Sequence, residues 1–231
     1  MASPNAFEHV DTWVFDLDNT LYPAGSRLFD QIDVRMGAFI SDLLSIDRTE
    51  ARRIQKQFFF EHGTTLRGLM LEHNVKPDDF LGYVHDIDHS VLAANPALDE
   101  AIARLPGRKL IFTSGTVAHA ERVMAEVGIS HHFEEIFDIK AADYVPKPQR
   151  PTYEAFLAST GVAAPRSAMF EDIVRNLEVP HAMGMTTVLV HDNDNEDSAM
   201  IGKLNGDGAE ADHVHHVTDD LAGFLSKIVP G

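Results

Sequence analysis

The chain of 231 residues contains no cysteine. That excludes disulfides, thiolate zinc sites and a cysteine nucleophile. No apolar run approaches the roughly 18–20 residues that a membrane helix requires, so no membrane partner is expected. Basic residues are scarce, 19 against 36 acidic, for a net charge of -17. A duplex binder carries a basic footprint, so nucleic acid is not an expected partner. Met1 to Glu8 offer neither a basic region nor an apolar stretch, so no secretory signal is read there. Together with the lack of cysteine, this makes a cytoplasmic location the expectation. Internal repeats and low-complexity tracts are also lacking. What is present is ordinary for a folded chain, with 44% hydrophobic and 24% charged residues. A small phosphorylated substrate is compatible with the acidity if the site supplies local positive charge.

Thr12-Trp13-Val14-Phe15 is a short continuous apolar run, the pattern of a strand buried on both faces. It breaks into Asp16-Leu17-Asp18-Asn19-Thr20. From Pro23 to Asn95 the spacing becomes helical. Phe29, Ile32, Met36, Phe39, Ile40 and Leu43 recur on one face. Asp47 and Glu50 resemble a capping box ahead of a helix reaching His62. Thr64 to Asn74 reads as a third helix, and Lys76-Pro77 opens a fourth. Helices and strands then alternate. Strands are expected at 109–112, 135–140, 168–170, 187–190 and 212–217. Helices are expected at 95–105, 117–127, 151–159, 175–183 and 219–228. His191 to Glu210 is polar and reads as a surface loop. The expected fold is α/β: a parallel sheet with helices on both faces, plus an all-helical insert after the first strand.

Polar residues gather at three strand ends: Asp16/Asp18, Thr113/Ser114 and Glu171/Asp172. Parallel strands bring such ends to one sheet edge, where ligands bind in open α/β sheets. Lys147 follows the third expected strand, in Asp143-Tyr144-Val145-Pro146-Lys147-Pro148. Carboxylates beside a lysine and hydroxyls suit Mg²⁺ and phosphate, because Mg²⁺ takes hard oxygen ligands.

These motifs resemble the haloacid dehalogenase (HAD) superfamily. Val14 to Leu21 is similar to its first motif and Thr113-Ser114-Gly115 to its second. Lys147-Pro148 is similar to the third, and Phe170-Glu171-Asp172 with Asn176 to the fourth. The order is the family's, and the insert lies where the family carries its first-type (C1) cap. The resemblance implies a Rossmann-like core at 1–22 and 96–231 with a cap domain at 23–95. It implies that Asp16 is the nucleophile, forming an aspartyl-phosphate, and that Asp18 is the general acid and base. Lys147 would offset charge and bind phosphate. Thr113 and Ser114 would bind phosphate oxygens, although family members often carry Asn at the latter position. Mg²⁺ would be held by Asp16, the Asp18 carbonyl and Asp172. The second aspartate separates this chain from the family's metal-free dehalogenases.

Within the insert, Gly63 to Leu69 and Tyr83 to Asp88 resemble the pyrimidine 5′-nucleotidase branch. That implies nucleoside monophosphates such as UMP and CMP, with Arg67 facing the substrate. A phosphatase or phosphomutase for a sugar phosphate is the alternative enzyme. A catalytically silent binding protein on the same fold is the alternative of another class. Blander readings accompany several residues. Asp16/Asp18 and Glu171/Asp172 also suit turns or helix caps. Asn176 suits a backbone-orienting role. His85 and His89, four apart on an expected helix, read as surface histidines, as do His131-His132 and His213, His215 and His216. Phe58-Phe59-Phe60 reads as insert core rather than a substrate platform. The oligomeric state is not legible.

Overall fold

A computed structural model gives the structure, describing residues 4–191 and 211–228. Among the described residues, six strands form one wholly parallel sheet: β1 Thr12–Phe15, β2 Arg108–Phe112, β3 Glu135–Phe137, β4 Ser167–Glu171, β5 Thr186–Val190 and β6 His216–Thr218. Their order is β3-β2-β1-β4-β5-β6. β1 pairs with β2 through Phe15 opposite Ile111, and with β4 through Phe15 opposite Phe170. The strand order reverses around β1, and that switch point is where doubly wound sheets bind ligands.

Side chains alternate across the sheet, as the two-residue period demands. Trp13, Phe15, Ile111, Phe170 and Val188 join one apolar cluster. It is shared with α5 (Pro96–Arg104), α6 (Val117–Val127) and α9 (Leu221–Ile228). Val14, Leu110, Phe112, Met169 and Leu189 face the other way, onto Tyr153 and Phe156 of α7 (Arg150–Thr160). Burying each large apolar side chain contributes about 1.5–3 kcal/mol. Trp13 also donates its indole N–H to the Pro106 carbonyl at 2.7 Å, so its polar atom is satisfied inside the sheet.

Between β1 and α5 lie α1 (Leu28–Leu44), α2 (Arg48–His62), α3 (Thr65–His73) and α4 (Pro77–Val84). They share a separate apolar cluster that includes Ile32, Ile40, Phe58, Leu69 and Phe80, with Ile139 from the loop after β3. Asp47 caps α2 through the N–H groups of Thr49 and Glu50, and Thr64 caps α3 through that of Arg67. α2 and α3 approach so closely that a Cβ at Gly68 would lie 2.3 Å from Phe58 Cγ. Gly68→Ala should therefore destabilise by about 1–3 kcal/mol through overpacking. A lower urea midpoint would register it, and an unchanged midpoint would mean that the two helices part without cost.

Several boundaries differ from the sequence expectations. β3 ends at Phe137 rather than 140 because Asp138 accepts the N–H groups of Val117, Lys140 and Ala141, which turns the chain. The helix expected at 175–183 divides into a 3-10 turn, Val174–Leu177, and the short α8, Glu178–Ala182. Pro180, four residues after Asn176, has no N–H to offer the Asn176 carbonyl, which accepts the Tyr153 hydroxyl at 2.7 Å. β6 spans only His216–Thr218. The loop reading for 191–210 falls outside the described residues except at His191. No helix among the described residues is long and apolar enough to cross a membrane.

Candidate active site

β1 ends on alternating residues. Leu17 turns into the core with no exposure, while Asp16 and Asp18 both line a cavity at the carboxyl edge of the sheet. The Asp16 N–H donates to the Phe170 carbonyl, which extends the β1–β4 ladder to the carboxylate itself. Asn19 then adopts φ 58°, a left-handed conformation that asparagine tolerates. The N–H of Leu21 returns to the Leu17 carbonyl and closes the turn.

Lys147 is the hub. Its buried ammonium donates to Asp16 Oδ1 at 2.6 Å, Glu171 Oε1 at 2.7 Å and the Phe112 carbonyl at 3.1 Å. Thus β1, β2 and β4 are tied together at one point. Glu171 is held on both oxygens: Oε1 accepts Asn176 Nδ2 at 2.7 Å, and Oε2 accepts the Ile173 N–H at 2.8 Å. Asn176 accordingly orients Glu171.

Asp16, Glu171 and Asp172 each place a carboxylate oxygen within 4.8 Å of the others. Burial pushes Asp16 up to about 7, with Glu171 adding to the rise and Lys147 opposing it. Burial likewise raises Asp172 well above the ordinary carboxylate range, and the charges of Glu171 and Asp16 raise it further. For Lys147, burial pulls down, but the charges of Asp16 and Glu171 prevail and hold the ammonium above its ordinary value. One lysine therefore undercompensates three carboxylates. Hard oxygen donors with surplus negative charge fit Mg²⁺. Asp16, Glu171 and Asp172 are the side chains that could hold the ion, and both Glu171 oxygens already accept hydrogen bonds from Lys147, Asn176 and the Ile173 N–H.

Asp18 has partners of its own. Tyr22 Oη donates to Asp18 Oδ1 at 2.6 Å, and His119 Nε2 lies 2.9 Å from the same oxygen. Burial raises the Asp18 pKa, but the charge and hydrogen bond of His119 and the hydrogen bond of Tyr22 bring it below the ordinary value. His119 Nδ1 meets His89 Nε2 at 3.2 Å, and the His85 ring stacks on His119 at 4.5 Å and 6°. Burial drives the His85 pKa down to about 3, so its ring is neutral at pH 7.

His85 and His89 thus depart from the sequence reading. Neither lies within a helical run that contains the other, and His89 is buried. α4 stops at Val84 because Gln31 clamps the Asp88 backbone, accepting its N–H and donating to its carbonyl. Asp88 then caps the following 3-10 turn.

The other expected residues divide. Ser114 and Gly115 line the cavity. Thr113 is buried behind them, and its hydroxyl accepts the Gly115 N–H at 2.9 Å. Arg67 is partly exposed and is not among the cavity-lining residues. The three phenylalanines, about 100° apart on a helix, separate accordingly. Phe58 is core, Phe59 lines the cavity and Phe60 is 45% exposed. The Arg175 guanidinium lies over the Phe59 ring at 4.7 Å and also lines the cavity. His131 and His132 both turn toward Asp99 Oδ1.

Sequence reading missed His119, Tyr22 and Arg175. A usable signal existed for His119. It stands in the first turn of the helix that follows a polar strand end, and that turn returns side chains to the same sheet edge.

Comparison with known proteins agrees with this fold. Residues 10–184 match the haloacid dehalogenase-like hydrolase family. Phosphate metabolism protein 8 of Saccharomyces cerevisiae is 28% identical over 193 residues, covering 76% of this chain and 60% of that protein. The chain thus spans about three-fifths of that relative's length. Among solved structures, a HAD phosphatase from Thermococcus onnurineus superposes with a TM-score of 0.62 at 17% identity, covering 96% of this chain and 99% of its own. The L-2-haloacid dehalogenase of Xanthobacter autotrophicus with chloropropionic acid covalently bound gives 0.58 at 15% identity, covering 94% and 97%. Phosphatases and dehalogenases share this fold, so the choice between them lies in the site.

Proposed function

The chain belongs to the haloacid dehalogenase-like hydrolases, and on that premise we propose that it is a Mg²⁺-dependent phosphomonoester hydrolase acting on pyrimidine nucleoside monophosphates. One observation carries the reading: a second carboxylate, Asp18, lines the same cavity as the lysine-bound Asp16 and is held by two hydrogen-bonding side chains. Hydrolysis of a phosphate ester by double displacement needs both a nucleophile and a proton carrier for the leaving oxygen.

In the proposed first step a carboxylate oxygen of Asp16 attacks phosphorus, and the bond to the leaving oxygen breaks. That oxygen takes a proton from Asp18. The incoming phosphate charge raises the Asp18 pKa by like-charge repulsion, which loads the proton on binding. In the second step water attacks phosphorus, Asp18 takes the water proton, and the Asp16 carboxylate is regenerated. Lys147 keeps Asp16 in place. Ser114 is assigned to phosphate oxygens, while Thr113, expected to share that role, lies behind the lining and holds the Gly115 N–H. Asp16, the Asp18 carbonyl and Asp172 would hold Mg²⁺, which when bound supplies charge neutralisation for the transferring phosphoryl group.

Helices α1 to α4 are assigned as a cap that covers the site and reads the leaving group. Their contribution to the cavity includes Phe29, Met36, Phe59 and Phe80, surfaces suited to a nucleobase. Arg67 lies away from this lining, which moves the weight of substrate recognition to Phe59 and Arg175. The name of the yeast relative, phosphate metabolism protein 8, is in keeping with phosphate chemistry.

Phosphate release from a panel of nucleoside monophosphates and sugar phosphates tests the proposal. Release is expected to favour UMP or CMP, to vanish in EDTA and to return with added Mg²⁺. Release from sugar phosphates alone would discard the nucleotide assignment. Activity that persists in EDTA would discard the metal.

A further inference from the structure

We infer that His119, together with Tyr22, is the positioning residue that fixes which oxygen of Asp18 faces the leaving group. The inference rests on the proposed role of Asp18 as proton carrier.

Two donors converge on one oxygen. Tyr22 Oη lies 2.6 Å and His119 Nε2 2.9 Å from Asp18 Oδ1. With Asp18 a carboxylate, Nε2 must be the protonated nitrogen, and this holds whichever charge the ring carries. The ring itself cannot turn away. Its side chain has no exposure, it stacks on His85 at 6°, and Nδ1 meets His89 Nε2 at 3.2 Å. Thr116 Oγ1 lies 3.2 Å from His85 Nδ1 and holds that stacked ring in turn. The turn after β1 and the first turn of α6 therefore meet at one carboxylate, and the segment after α4 braces the His119 ring.

The consequence is geometric. Oδ1 is engaged by two donors, so the transferable proton belongs on Oδ2. A Cβ at Gly115 would lie 3.8 Å from Oδ2, and Gly115 lines the cavity. The proton-bearing oxygen is thereby turned toward the phosphate loop. Without the two donors the carboxyl could rotate and lose its alignment, and misplacement by about 1 Å already costs around 100-fold in such transfers.

The test is a series of substituted phenyl phosphates of rising leaving-group pKa. The measured quantity is kcat/KM, which reports the steps through leaving-group departure. A good leaving group needs little protonation, whereas a poor one depends on it. For His119→Leu, kcat/KM should fall less than about 5-fold on p-nitrophenyl phosphate and about 100-fold on phenyl phosphate, within the range of general acid catalysis. His119→Gln, whose amide N–H can replace Nε2–H, should keep the wild-type slope. Tyr22→Phe should steepen the slope in the same direction by a smaller factor. If His119→Leu does not fold, His119→Asn takes its place, because the shorter amide suits the Nδ1 position and not Nε2.

An equal fall across the series would make His119 merely structural and overturn the inference. So would a wild-type slope in the leucine or asparagine variant. Either result, with wild type active and Asp16→Asn inactive, leaves the phosphatase reading standing. Wild type inactive on every ester and on the nucleotide panel would remove that reading and the inference with it.

Discussion

Asp16→Asn should lower phosphate release by about 10⁴-fold or more, while the protein loses no more than about 1–2 kcal/mol of stability. The two halves of this expectation have different causes. An amide cannot form the acyl-phosphate, so the covalent route closes. The fold survives because Lys147 keeps Glu171 at 2.7 Å and the Phe112 carbonyl at 3.1 Å. Asp16 is also a poor store of stabilising charge. Burial has pushed its pKa up to about 7, so the site itself disfavours the charged carboxylate. Turnover assays and urea melts of the same preparation check both halves. Wild-type turnover in a variant shown by mass to be free of deamidation would remove Asp16 from the mechanism. Unfolding would mean that the aspartate is chiefly structural.

Lys147→Met should behave in the opposite way on stability. Removing the ammonium leaves Asp16 and Glu171 buried without their shared cation. Loss of one partner from a buried pair costs about 3–5 kcal/mol, and activity should fall by about 10²–10³-fold with the lost charge compensation. The stability cost should grow with pH in metal-free protein. Asp16 has its folded pKa raised from 3.8 to about 7 even with Lys147 in place. The stability linked to its proton is thus fully present below 3.8 and lost as pH rises through 7. Without Lys147 the folded value rises further, so the variant falls increasingly behind wild type as pH rises. Urea melts at about pH 5 and about pH 8 measure this difference. Equal costs at both would mean that Lys147 contributes packing rather than charge.

The contrast between these two variants follows from residues whose importance was legible in the sequence. Apolar runs that end abruptly in carboxylates marked β1 and β4, and Asp16, Asp18, Glu171 and Asp172 stand at those ends. Lys147 needed the family's motif order, because a lysine between two prolines is otherwise an ordinary loop residue. His119 and Tyr22 were hidden for another reason. Each is placed by tertiary packing, and neither spacing nor composition says that a histidine 101 positions after Asp18 will touch it. The same limit explains His85 and His89. Their spacing of four suggested one helical face, but Gln31, 57 positions before Asp88, ends that helix by binding its backbone. Arg67 shows the converse, a family-derived expectation whose side chain the packing of α3 leaves off the cavity lining. Strand ends are decided locally and can be read. Contacts between loops of distant elements are decided by the fold and cannot.

The stereochemical course at phosphorus tests the two-step mechanism most directly. A phosphate monoester made chiral with oxygen isotopes is hydrolysed in isotopically labelled water with Mg²⁺, and the configuration of the released phosphate is determined. Transfer to Asp16 and then to water inverts phosphorus twice, so net retention is predicted. Net inversion would mean that water attacks the ester directly, and Asp16 would not be the nucleophile.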